Sequence, residues 1–142
     1  MKLVVSILMY VLMPLLCLAS LTLSAPVFSQ AQDDPAVSRA LQQVQNMLTN
    51  PMLREEQLNK SPEARAAANK LESLGGSTQM NEEVYALSAQ IFSDLVNETG
   101  GDIKKLRERV AAAQKNPEAF LNSLKSDHKT RIRSIAQQLP SN

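Results

Sequence analysis

The sequence predicts an all-α protein: a small irregular bundle of about six short helices around a central helix, preceded by an N-terminal signal or anchor helix. Three observations predict it. Apolar residues recur at steps of three and four through most of the chain after residue 34, which is the period of one helix face. Outside residues 1–31 no run of strand length alternates apolar with polar side chains. Helix punctuation is frequent, with Asn50-Pro51, Ser61-Pro62 and Asn116-Pro117 placing a polar side chain before a proline, and Gly75-Gly76 and Gly100-Gly101 breaking the pattern.

Positions 3–23 carry no charge, follow the lone basic residue Lys2, and lead into small residues. That order is the order of a secretory signal, and Ser29-Gln30-Ala31 is the best cleavage site. Residues 1–31 are therefore expected to be a signal peptide and residues 32–142 a single helical domain, periplasmic or secreted. The apolar run also reaches the ~20 residues that can span a bilayer, so an uncleaved membrane anchor is the alternative. Leu15-Leu16 stand before Cys17 where a lipid-modified cysteine wants small residues, which disfavours a lipoprotein. Cleavage after Ala31 leaves 111 residues without cysteine, so neither disulfides nor thiol or zinc-thiolate chemistry are open to the mature chain.

The elements follow in order. Asp34 offers an N-cap oxygen and Pro35 suits the first helical position. Val37, Leu41, Val44 and Leu48 then form a narrow stripe that ends at Asn50-Pro51. Met52 to Leu58 makes two turns, with Met52, Leu53 and Leu58 expected inward. Ser61 caps a helix from Glu63 to Leu74 whose mostly alanine face is expected to pack tightly against the central helix.

The central helix runs from Met80 to Glu98. Met80, Val84, Leu87, Ile91 and Leu95 form one row, and Tyr85, Ala89, Phe92 and Val96 a second beside it. An apolar face of that width needs neighbours on two flanks. Asp102 caps a helix to Gln114 with Ile103, Leu106, Val110 and Ala113 inward, and Asn116-Pro117 starts a short one carrying Phe120, Leu121 and Leu124. Ser126 or Asp127 opens the last helix, lined by Ile132, Ile135, Ala136 and Leu139 and closed by Pro140.

Charge divides the mature chain. Residues 32–101 hold five basic and ten acidic side chains, net −5, and residues 102–142 hold nine and four, net +5. The halves are expected to fold against each other and cancel. The alternative is that the basic half faces an anionic surface or the acidic half of a second copy.

Catalytic chemistry finds no constellation. His128 is the only histidine and its neighbour Asp127 cannot face it on a helix. It is expected to be a solvated residue at a helix start. Gln90, Asp94 and Glu98 share a face and could offer oxygens to a cation, but no Glu-x-x-His pair supports a metal site. No catalytic residue, cofactor or metal is therefore assigned. Lys125, Lys129 and Arg133 form a basic stripe on the last helix, with Arg131 beside it, and these four are the candidate partner-binding residues. A basic amphipathic helix suits a protein partner, a second copy or an anionic lipid surface. Nucleic acid is not expected, because no aromatic residue lies among these charges to stack on a base.

Leu124-Lys125-Ser126-Asp127-His128, followed by Ile132 and Ile135, is similar in layout to the Leu-Thr-x-x-Gln segment of Spy-type periplasmic chaperones. Leu48-Thr49-Asn50-Pro51-Met52 is a second partial match. The threonine is missing from the first and the glutamine from both. The likeness covers about ten residues and implies a client-cradling chaperone role as an alternative. The leading expectation is a small exported helical protein that acts in the bacterial envelope by non-catalytic protein binding or self-association.

Overall fold

The computed structural model describes residues 35–73 and 77–139, and all regular structure among them is helical. The elements are α1 (Pro35–Thr49), α2 (Pro51–Lys60), α3 (Pro62–Glu72), α4 (Thr78–Thr99), α5 (Ile103–Lys115), α6 (Pro117–Ser123) and α7 (Ser126–Gln138). Among the described residues, six short helices thus accompany one of 22 residues. None of the described helices is long and apolar enough to cross a membrane. The expected signal or anchor helix, its cleavage site and the Asp34 cap lie outside the described residues.

Local chemistry explains where the helices start. Asn50 Oδ1 accepts from the N–H groups of Met52 (3.0 Å) and Leu53 (3.4 Å), with Pro51 in the first turn where its missing N–H costs nothing. Ser61 closes α2 by donating its N–H to the Gln57 carbonyl, and opens α3 by accepting from the Ala64 N–H through Oγ. Ser77, Asp102 and Asn116 cap α4, α5 and α6 in the same way. Each such cap contributes about 1 kcal/mol. The start of α7 differs from expectation: Lys125 occupies the capping position, and neither Ser126 nor Asp127 accepts an N-terminal N–H.

At the other end of α4 the chain turns through Gly100 (φ 63°) and Gly101 (φ 77°). The Gly100 N–H bonds the Asn97 carbonyl and the Gly101 N–H bonds that of Val96. That pair of bonds is a Schellman cap, and its left-handed residues require glycine or pay steric strain.

Helix α4 is the centre of the fold. Both expected rows are inside: Met80, Val84, Leu87, Ile91 and Leu95 in one, Tyr85, Ala89 and Phe92 in the other, with Val96 half-buried. Ser88, between them, is fully buried and returns its hydroxyl to the Val84 carbonyl at 2.7 Å. Three helices come close to α4: α1 along one flank, α5 and α7 elsewhere around it. They bring Val44, Met47 and Leu48, then Leu106 and Val110, then Ile132 and Ile135, into one continuous apolar cluster. Burying each large side chain of this kind contributes roughly 1.5–3 kcal/mol.

Two packing expectations are corrected. The alanine face of α3 does not approach α4 closely; α3 lies against α2 instead. Leu71 alone among α3's residues joins the central cluster, and Arg54 and Tyr85 stand in the space between the two helices. Helix α2 also turns the other way from the sequence reading. Met52 is 83% exposed and Leu53 40%, Leu58 is half-buried, and the buried residue of α2 is Arg54.

Candidate binding surfaces

Arg54 faces inward because three groups claim its guanidinium. Its Nη1 donates to the Leu48 carbonyl at 3.2 Å, its Nη2 pairs with Glu82, and its plane lies 3.8 Å over the Tyr85 ring. Leu48 sits in the last turn of α1, where carbonyls lack an intrahelical donor. The Met52 N–H that would continue the helix is taken by Asn50 instead. Arg54 therefore satisfies a buried orphan acceptor while covering an aromatic face. Burial pushes the Tyr85 hydroxyl's pKa up, and the nearby Arg54 charge opposes that shift.

A second polar cluster joins α7 to α4. Lys125 Nζ lies 2.6 Å from Asp94 Oδ1, and His128 Nε2 lies 2.7 Å from Asp94 Oδ2. Lys125, and after it His128, holds the Asp94 carboxyl below the ordinary aspartate range. An ionised carboxylate only accepts, so His128 donates through an Nε2–H. Its Nδ1 is buried without a hydrogen-bond partner. The histidine is buried, not solvated as the sequence reading expected.

The four candidate partner-binding residues all lie on α7 or its capping position, and three of them make contacts within the chain. Lys125 pairs with Asp94 yet keeps two thirds of its side chain in solvent. Lys129 Nζ donates to the Asn122 carbonyl at 2.7 Å, and Arg131 Nη1 donates to Gln90 Oε1 at 2.6 Å. Arg133 is exposed. Gln90 and Asp94, singled out as oxygen donors, thus meet the basic helix. Glu98 pairs with Arg109 at 3.0 Å. These contacts link the acidic and basic halves directly. Among the described residues no three His, Cys, Asp or Glu side chains cluster as a metal would require.

Cavities also open among the described residues. One of about 620 Å³ lies between α1 and the C-terminal half of α4, lined by Leu41, Phe92, Val96, Gln42, Gln45 and Ser93. Another, about 380 Å³, lies among α2, α3 and the start of α4 around Arg54 and Tyr85. The Asn81 Oδ1 atom, on the wall of this cavity, is buried without a partner.

Sequence reasoning missed Arg54, His128 and the outward pair Met52 and Leu53. His128 carried a readable signal, since it precedes Ile132 and Ile135 at steps of four and three and so continues the buried row. Met52 and Leu53 carried none. Comparison of the chain with family models, with curated proteins and with solved structures finds no match.

Proposed function

We propose that the chain is a small exported helical protein of the bacterial envelope that works by binding another protein, or a second copy of itself, without catalysis. The observation that carries this reading is the apolar step Pro51-Met52-Leu53 on the surface of α2. Folding gains little from a methionine that is 83% exposed, whereas a partner that covers it gains its full apolar area. Methionine is also the side chain that adapts best to an irregular partner surface. Glu55 and Glu56 follow it, exposed, as a charged rim.

The polar interior supports the same reading. His128 spends Nε2 on Asp94 and keeps Nδ1 buried, so neither ring nitrogen is presented to a substrate. The exposed parts of Lys125, Lys129, Arg131 and Arg133 serve as the face toward an anionic partner, and they set approach and orientation more than affinity. Export rests on the uncharged run at positions 3–23 behind Lys2. Because that run is long enough to span a bilayer, retention as a membrane anchor is the second reading.

The test is a photo-crosslinking residue at Leu53, introduced into the full chain in its own cells, with the same residue at exposed Lys115 as control. One discrete adduct at position 53, weakened by Lys129→Glu with Arg133→Glu, is expected. An adduct of twice the chain's mass identifies a second copy. Equal labelling at positions 53 and 115 overturns the proposal.

A further inference from the structure

Two residues along an α-helix are turned about 200° apart, so Gln90 and Phe92 leave α4 in opposite directions. Phe92 and Val96 line the cavity beside α1, and Arg54 of α2 lies over Tyr85, which shares their face. Gln90, Asp94 and Glu98 lie on the other face, where they meet Arg131 and Lys125 at α7 and Arg109 on α5. Helix α3 rests on α2, and α6 on α5. The fold is therefore two layers, α1–α3 and α5–α7, with α4 between them. Charge follows the layers. Residues 35–72 hold five basic and four acidic side chains, net +1, whereas residues 102–142 hold nine and four, net +5. Three carboxylates of α4 meet the second layer, Glu83, Asp94 and Glu98, and they lower +5 to +2 without reversing it. They act at its inner edge. Lys104, Lys115 and Arg133 stay exposed and make no ion pair among the described residues.

We propose that the outer face of α5–α7 lies against the anionic headgroups of a phospholipid bilayer. The proposal names the anion for the role given above to Lys125, Lys129, Arg131 and Arg133, and it rests on that role. Three observations select lipid among anionic partners. A protein interface centres on large apolar anchors, but the exposed large apolar residues of the described chain, Met52 and Leu53, belong to the opposite layer. A nucleic acid needs an aromatic face to stack on, and Phe120, the single aromatic residue of 102–142, is buried. A bilayer surface requires neither, because anionic headgroups attract each Lys or Arg that comes near without a shaped pocket. The uncharged run at positions 3–23 also brings the chain to a membrane, whether as signal or as anchor.

A fluorophore on an introduced cysteine reads approach to lipid whether or not the N-terminal run is retained. Cys17→Ser removes the native thiol, and the label goes on Gln114→Cys in α5 or on Gln43→Cys in α1, both exposed positions. The full chain is mixed with vesicles of phosphatidylcholine, or of equal parts phosphatidylcholine and phosphatidylglycerol, each carrying nitroxide headgroups that quench a nearby label. Quenching at position 114 is expected to be at least threefold greater in the anionic vesicles, with position 43 unchanged. That gain should vanish in molar salt, which screens exposed charge. It should also vanish in a Lys104→Glu, Lys115→Glu, Arg133→Glu variant whose circular dichroism matches the parent. Equal quenching of position 114 in the two vesicles, or an equal gain at position 43, overturns the lipid assignment. In that event, a Leu53 adduct still weakened by Lys129→Glu with Arg133→Glu returns the basic layer to a protein partner. An adduct indifferent to those charges removes the anion-facing role itself.

Discussion

Replacing Arg54 by alanine should cost about 3 kcal/mol, far more than a typical helix-surface substitution. Three contributions make up that figure. The charged donor on the Leu48 carbonyl is buried, and hydrogen bonds of this kind contribute roughly 1.5–3 kcal/mol. The guanidinium over Tyr85 adds about 1 kcal/mol in a partly desolvated setting. The pair with Glu82, whose side chain is 47% exposed, adds well under ~1 kcal/mol. For a chain of this size the loss corresponds to a fall in Tm of roughly 10 °C. Urea denaturation followed by helical circular dichroism reads it directly. Glu82→Gln serves as control and should cost less than ~1 kcal/mol. Lysine at position 54 should not restore the loss, because an ammonium lacks both the second donor direction and the flat face. A double-mutant cycle with Tyr85→Leu should return a coupling of about 1 kcal/mol. If Arg54→Ala costs no more than Glu82→Gln, Arg54 is an ordinary surface residue and the account of α2 is wrong.

Other expectations concern Asp94 and the core. The Asp94 carboxyl is held below its ordinary value of 3.8 in the folded chain, so its contacts stabilise above that value and are lost as pH falls through the lowered one. Asp94→Asn should therefore lose about 1 kcal/mol near neutrality, with the gap to the parent closing as pH drops below that range. A gap that widens on acidification contradicts the assignment. Leu87→Ala, at a position with no exposed surface, should cost ~2–5 kcal/mol, whereas Met52→Ala should change stability by less than ~0.5 kcal/mol. Both are read from the same urea transitions.

The division between what the residues announced and what they concealed follows the range of the interactions. Caps act over two or three residues, so Ser61, Asp102 and Asn116 marked real helix starts, while Asn50, read only as a helix end, also caps the start of α2. The two rows of α4 were equally plain, because a double apolar face has one way to be satisfied. Helix α2 has no such stripe. Its orientation is decided by an orphan carbonyl on α1 and an aromatic ring on α4, which sit six and 31 positions away from Arg54. Apolar Met52 and Leu53 lost to a charged residue because the charged residue had more partners waiting inside. The Asp94 cluster was hidden for the same reason: Asp94 and His128 are 34 residues apart, and nothing local to either points to the other. The alanine face of α3 misled because small side chains permit close approach to any helix and do not say which one.

The central claim is that Thr78–Thr99 is the most deeply sheltered element of the fold, and native-state amide hydrogen exchange tests it most directly. Amides from Val84 to Leu95 should exchange last, with opening free energies equal to that of global unfolding, while those of α2 exchange well ahead of them. Exchange from Val84–Leu95 as fast as from α2 would contradict the architecture described.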